Sequence, residues 1–251
     1  MVTSRPTGRF LRRVTLLSPA WNGDVINIIS ATRLSHDEFL AEAPLGASLR
    51  RLAFDKRLHA RVAFENSESL SKIYNLCIDA PQAAEILVFI HDDVWLDDHF
   101  FADRIIAGLQ TFDVLGIAGN RRRLPRQPSW AFTEQIQGKF AWDARENLSG
   151  VVAHGSAPFG RVTTYGPTPA ACELLDGVLL AARRDTLRAK GVRFDPRFDF
   201  HFYDMDFCRS ARAAGLVLGC DAVALTHLSQ DAFGSEAWQR NYALYLEKWG
   251  D

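Results

Sequence analysis

The segment EILVFIHDDVWLDD, residues 85–98, constrains the fold of this chain more than any other. Its apolar run shows no polar alternation, so the strand it forms has both faces covered, as in a parallel sheet between helical layers. The acidic residues that follow stand at the strand's C-terminal end, where ligands of open α/β sheets collect.

The flanking segments alternate in the same sense. DVINIISATR, from Asp24, reads as a buried strand ending in small polar residues, among them Ser30 and Thr32. SHDEFLAEA reads as a helix with Ser35 as N-cap and Glu38 completing a capping box, stopped by Pro44. HARVAF is a short strand, and SLSKIYNLCIDA a helix with Leu70, Ile73, Tyr74, Cys77 and Ile78 at helical spacing, closed by Pro81. A helix near DDHFFADRIIAGLQ and a strand at FDVLGIAG follow the acidic segment. This order predicts a mostly parallel central sheet flanked by helices, with right-handed connections. From Asn120 to about Ala171 the chain is rich in Arg, Pro, Gly, Ser and aromatics and reads as long loops and short strands over the active face. The last third resumes with ELLDGVLLAARR as a strand, a helix after FDFHFYDMDF, the apolar segment VLGCDAVALTH and a C-terminal helix ending in YLEKWGD.

At 251 residues, 47% hydrophobic and 24% charged, the chain has enough apolar material for one sizeable core. Residues 1–22 read as an N-terminal extension and 23–251 as a single domain. A formal net charge of -1 gives no electrostatic reason to expect nucleic acid as partner. The cysteines, Cys77, Cys172, Cys208 and Cys220, include no C-x-x-C pair and read as buried thiols of a reducing compartment. No apolar run reaches the roughly 20 residues that span a bilayer, and the start lacks a signal-peptide core. The expected location is the cytoplasm, compatible with peripheral association at the inner face of the membrane.

Three constellations offer chemistry. Asp92 and Asp93 are hard oxygen donors at a strand end, suited to Mg²⁺ or Mn²⁺ carrying nucleotide phosphates; the plainer reading is a solvated turn. Asp204 and Asp206 open a helix, where the dipole favours carboxylates. Their aromatic surroundings, Phe198, Phe200, Phe202, Tyr203 and Phe207, also desolvate a carboxylate and raise its basicity. His227 follows an apolar strand, a usual place for a structural histidine, and together with strand-end carboxylates it completes a metal site.

In order and spacing these segments resemble GT-A glycosyltransferases, specifically the family-two inverting enzymes, from about Asp24 to the KWGD end. EILVFIHDDVWL is similar to the strand and D-x-D motif of that family, with His91 where the first acid often stands and Asp93 at the metal-binding last acid. FYDMDFCRSARAAGL resembles its E-D-x-D-L-x-x-R-x-x-x-x-G segment, with Tyr203 in place of the usual Glu and Asp204 on the acid assigned as base. ELLDGVLLAARR resembles the acceptor-side segment, which implies Asp176 and Gly177 beside the acceptor, joined there by Asp206. ENSESLSKIYN resembles the stretch that approaches the donor, implying Glu65, Asn66 and Asn75 near the nucleotide with Ser30, Thr32, His91 and Asp92. The resemblance implies a nucleotide-diphosphate sugar donor, a saccharide or lipid-linked acceptor, and transfer with inversion assisted by Mn²⁺ or Mg²⁺ on Asp93 and His227. Asp204 would be the base, and the pathway would be surface polysaccharide or lipopolysaccharide synthesis. Two other readings stay open: a nucleotidyltransferase, although ISATRLSHDEF supplies no Gly-rich basic loop, and a GT-A domain that binds without turnover.

Overall fold

The computed structural model of the protein describes residues 24–228 and 233–250; the expected extension, residues 1–22, lies outside them. Ile26–Ala31 forms β1, a buried strand. Ser35 caps α1, His36–Glu42, by accepting from the Glu38 amide while the Glu38 carboxylate accepts from the Ser35 amide. Pro44 does more than stop this helix. It is the first residue of α2, Pro44–Arg51, where its missing N–H leaves no helical bond unmade.

β2, Leu58–Ala63, and α3, Leu70–Asp79, fall where expected, with Ser69 capping α3. All five residues of β3, Ile86–Ile90, are buried. The chain passes through His91–Asp93 into β4, Val94–Leu96, then α4, Phe101–Gly108, β5, Val114–Gly116, and β6, Ala118–Asn120.

Residues 120–171, expected as long loops and short strands over the active face, carry their strands as regular paired ones. They hold the hairpin β7, Phe132–Ile136, with β8, Lys139–Trp142, then β9, Leu148–His154, β10, Arg161–Gly166, and β11, Ala170–Cys172. Then follow β12, Leu174–Leu175, β13, Leu179–Arg183, α5, Arg184–Ala189, α6, Tyr203–Ala213, β14, Leu218–Cys220, β15, Leu225–His227, and α7, Glu236–Trp249. Within β9, where the register with β10 shifts, only glycine is accommodated: Gly150 has φ 113°, and a Cβ there would lie 2.2 Å from the Ile117 carbonyl oxygen.

The central sheet runs β11-β14-β5-β13-β3-β1-β2, and a second sheet runs β12-β6-β9-β15-β4 with β10 beside β9. The central sheet is mixed rather than mostly parallel. β1 lies parallel to β2 and β3, and β5 to β14, but β13 runs antiparallel to both β3 and β5, and β11 antiparallel to β14. An apolar run reports that both faces are covered and says nothing of direction.

The reversal of β13 has a functional consequence. Leu179 pairs with Ile90, so the entry to β13 meets the exit of β3, and the His91 amide donates to the Val178 carbonyl at 3.2 Å. β15 pairs with β4 with His227 opposite Val94, which brings His227 to the same corner. Among the described residues no helix is long and apolar enough to cross a membrane.

Candidate active site

His91, Asp93 and His227 converge where the two sheets meet. His227 Nε2 is 3.4 Å and His91 Nδ1 4.0 Å from Asp93 Oδ1, and one ligand atom from each residue lies within 4.8 Å of the other two. The main chain fixes this spacing: the Leu228 amide donates to the Asp93 carbonyl at 2.9 Å. Burial lowers the His91 pKa to about 4, so its imidazole is neutral at physiological pH, the form that binds metals.

The tautomer of His91 follows from its neighbour. Tyr203 Oη donates to the Gly177 carbonyl at 2.7 Å and lies 2.9 Å from His91 Nε2. Its one proton being used on Gly177, the phenol oxygen accepts from Nε2–H. The Nδ1 lone pair is then left on the side of Asp93. Phe200 stacks on the imidazole at 5.4 Å between centroids and 29° between planes. Two imidazole nitrogens and a carboxylate oxygen at this spacing fit a divalent transition cation such as Mn²⁺ better than Mg²⁺, which prefers oxygen ligands.

Tyr203 and Asp204 reach the site through a strained residue. Phe202, ahead of α6, has φ 65° and ψ 0°, a left-handed conformation costly for a bulky side chain, and is held by ring contacts to Trp238, Tyr242 and Tyr245. Asp204 Oδ2 accepts from the Gly177 amide at 3.0 Å. Burial, reinforced by the charge of Asp176, raises the Asp204 pKa to about 7. Burial also raises Asp176, whose Oδ1 accepts from the Val178 amide at 2.9 Å. No residue other than glycine fits at 177, because a Cβ there would lie 2.4 Å from Tyr203 Oη and 2.9 Å from Asp204 Cβ.

Two cavities open on this cluster. One is lined by His91, His227, Asp176, Gly177, Tyr203 and Asp204, with aromatic walls. The other is lined by Thr32, Asn66, Asp92 and Asp93, and Phe200 borders both. Burial raises Asp92, opposed by a hydrogen bond from Thr32, which ties it to the second cavity.

Four expected site residues are placed elsewhere. Ser30 is fully buried within β1 and lines neither cavity. Glu65 is exposed with φ 48° at a turn and lines neither. Asn75 spends both ends of its amide on Phe194, donating to its carbonyl at 2.7 Å and accepting from its amide at 3.0 Å. Asp206, fully buried, faces Lys248 Nζ at 2.7 Å and accepts from Trp249 Nε1 at 2.9 Å, so it ties α7 to α6 instead of facing the acceptor. Asn66 lines its cavity, but its side chain folds onto Glu68, donating to the carbonyl and accepting from the amide.

Sequence reading also missed contributors. Trp130, Trp142, His154 and Tyr165 line the first cavity, and all come from the 120–171 segment. Their density of aromatics was the available signal, without periodicity to place it.

A sequence model described as "Glycosyltransferase like family" matches residues 36–242. No curated protein matches the chain in sequence. Among solved structures, GalNAc-T7 with UDP, GalNAc and Mn²⁺ superposes with a TM-score of 0.52 at 11% identity, over 90% of this chain. This chain covers 49% of that one, about half its length. The catalytic domain of Drosophila β1,4-galactosyltransferase 7 in complex with xylobiose gives 0.49 at 12% identity, over 88% of this chain and 80% of that one. At the identity of the GalNAc-T7 match the likeness is one of fold, and the fold is GT-A.

Proposed function

Because the chain belongs to the glycosyltransferase-like family, we propose that it moves a sugar from a nucleotide-diphosphate donor to an acceptor hydroxyl with inversion, aided by Mn²⁺ or Mg²⁺. The observation that carries this reading is a single cavity lined both by the poised carboxyl of Asp204 and by the histidines of the His91–Asp93–His227 cluster. A bound cation would supply charge neutralisation for the departing diphosphate, and His91, Asp93 and His227 would hold it. The spacing of those three donors and the neutral state of His91 support that assignment. In the same way, Mn²⁺ accompanies UDP in the GalNAc-T7 structure.

Thr32, Asn66 and Asp92 line the donor side. Asp204 takes the proton of the attacking hydroxyl: with a pKa of about 7 its carboxylate is substantially populated at neutral pH and basic enough to receive a proton. Burial, with the charge of Asp176 second to it, keeps that pKa high, and the Gly177 amide fixes the carboxylate by donating to Oδ2. A single displacement needs only this one base on the acceptor side, by the logic that governs inverting glycosidases. Residues 23–251 act as one catalytic domain, and a saccharide or lipid-linked precursor of a surface polysaccharide is the acceptor class that the family resemblance suggests. The reading is tested by incubating the full chain with a panel of nucleotide-diphosphate sugars. Release of free nucleotide diphosphate that requires Mn²⁺ or Mg²⁺ supports it; no release with any donor contradicts it.

A further inference from the structure

The cavity that holds Asp176 and Asp204 has an aromatic wall that neither the metal cluster nor the base requires. Trp142, at the end of β8, is 57% exposed at its rim. The indole is nevertheless held. It packs edge-on against Phe132 at 4.8 Å and 73°, and Phe132 in turn stacks on Phe140 across the hairpin at 5.1 Å and 27°. Tyr165 lies nearly parallel to Trp142, at 6.0 Å and 21°, and is braced edge-on by Trp130 at 5.0 Å and 87°. A large apolar surface kept in water by rigid neighbours costs little entropy when a ligand covers it. Phe200, 51% exposed, bounds the cavity beside His91.

The charge of the lining is equally selective. Among the described residues that line this cavity there is no Lys or Arg, while Asp176 and Asp204 contribute two carboxyls. The histidines His91 and His227 of this wall face Asp93. A carboxylate or phosphate brought here would be desolvated beside like charge.

We propose that the acceptor is a neutral glycan, bound with the apolar face of a pyranose ring against Trp142. The axial C–H groups of such a face offer the complement to an indole, and its hydroxyls reach the Asp204 side of the same cavity. This inference rests on the glycosyltransferase reading for the word acceptor, but the binding it describes does not depend on turnover.

The test is binding of the full chain to an immobilised array of neutral hexose and N-acetylhexosamine oligosaccharides and their uronate- or phosphate-bearing counterparts. Wild type should retain neutral glycans, Trp142→Ala should weaken that retention at least about tenfold, and Trp142→Phe should hold it within about threefold. Circular dichroism checks both folds. Preferential retention of the anionic glycans, no retention at all, or unchanged retention by Trp142→Ala overturns the inference. Donor hydrolysis measured alongside separates the two claims: turnover with an empty array removes this inference alone, and a positive array without turnover removes the transferase reading alone.

Discussion

Tyr203 Oη lies 2.9 Å from His91 Nε2, and this contact, with the phenol proton committed to the Gly177 carbonyl, sets which imidazole nitrogen faces Asp93. A family pattern with Glu at this place would put a charge where this chain has a neutral hydroxyl. The tyrosine thus joins the His91–Asp93–His227 cluster to the turn at Gly177.

Tyr203→Phe keeps the ring and removes that link. Mn²⁺ affinity should fall by about tenfold or more, the scale seen when an outer partner of a metal-binding histidine is lost. Stability should fall by about 1–3 kcal/mol, because His91 Nε2–H and the Gly177 carbonyl both lose a buried partner. Mn²⁺ titration followed by electron paramagnetic resonance, with urea unfolding alongside, checks both values.

Asp93→Ala should abolish the Mn²⁺-dependent rise in melting temperature with nucleotide diphosphate, while the metal-free protein keeps its fold. The residue sits between β3 and β4, outside the apolar core. His227→Ala should reduce the metal effect less, since water can replace one ligand. Thermal-shift curves with and without Mn²⁺ decide; full metal dependence in Asp93→Ala would remove it from the site.

Asp204 should also leave a signature in stability against pH. Its folded pKa, about 7, lies above the ordinary carboxyl value, so its stabilising share is complete below about pH 4 and is lost as pH rises through about 7. Asp204→Asn, neutral at every pH, should therefore gain in melting temperature over wild type from pH 5 to pH 8. A gap that stays constant with pH would mean the carboxyl ionises normally.

Asp206→Ala should cost about 1–3 kcal/mol, since it leaves the Trp249 indole N–H without its partner and the Lys248 ammonium with Asp195 alone at the junction of α6 with α7. Nucleotide affinity should be unchanged. Urea unfolding and calorimetric titration of the same variant separate the two effects.

How far the site was legible depended on what each residue uses. Asp92, Asp93 and Asp204 stood out as candidates because strand ends and helix starts are marked locally, by an apolar run or by aromatic spacing. His227 was visible as a histidine after a strand, but its approach to Asp93 depends on β15 pairing with β4, a contact between residues over a hundred positions apart. Asn75 and Asp206 looked like site residues because polar groups near a ligand and polar groups clasping a backbone or a lysine are alike in sequence; only their partners differ. The second sheet escaped notice because its strands come from distant parts of the chain, and the reversal of β13 because direction leaves no mark on composition.

The most direct measurement of the central claim compares Asp204→Asn with wild type in one assay: donor affinity by titration and transfer rate as a function of pH, with an acceptor active for the wild type. The account predicts nearly equal donor affinity and a wild-type rate that climbs as the carboxyl deprotonates near pH 7. For Asp204→Asn it predicts a rate at least about a hundredfold lower without that inflection. An Asp204→Asn variant that transfers sugar at the wild-type rate would contradict the account.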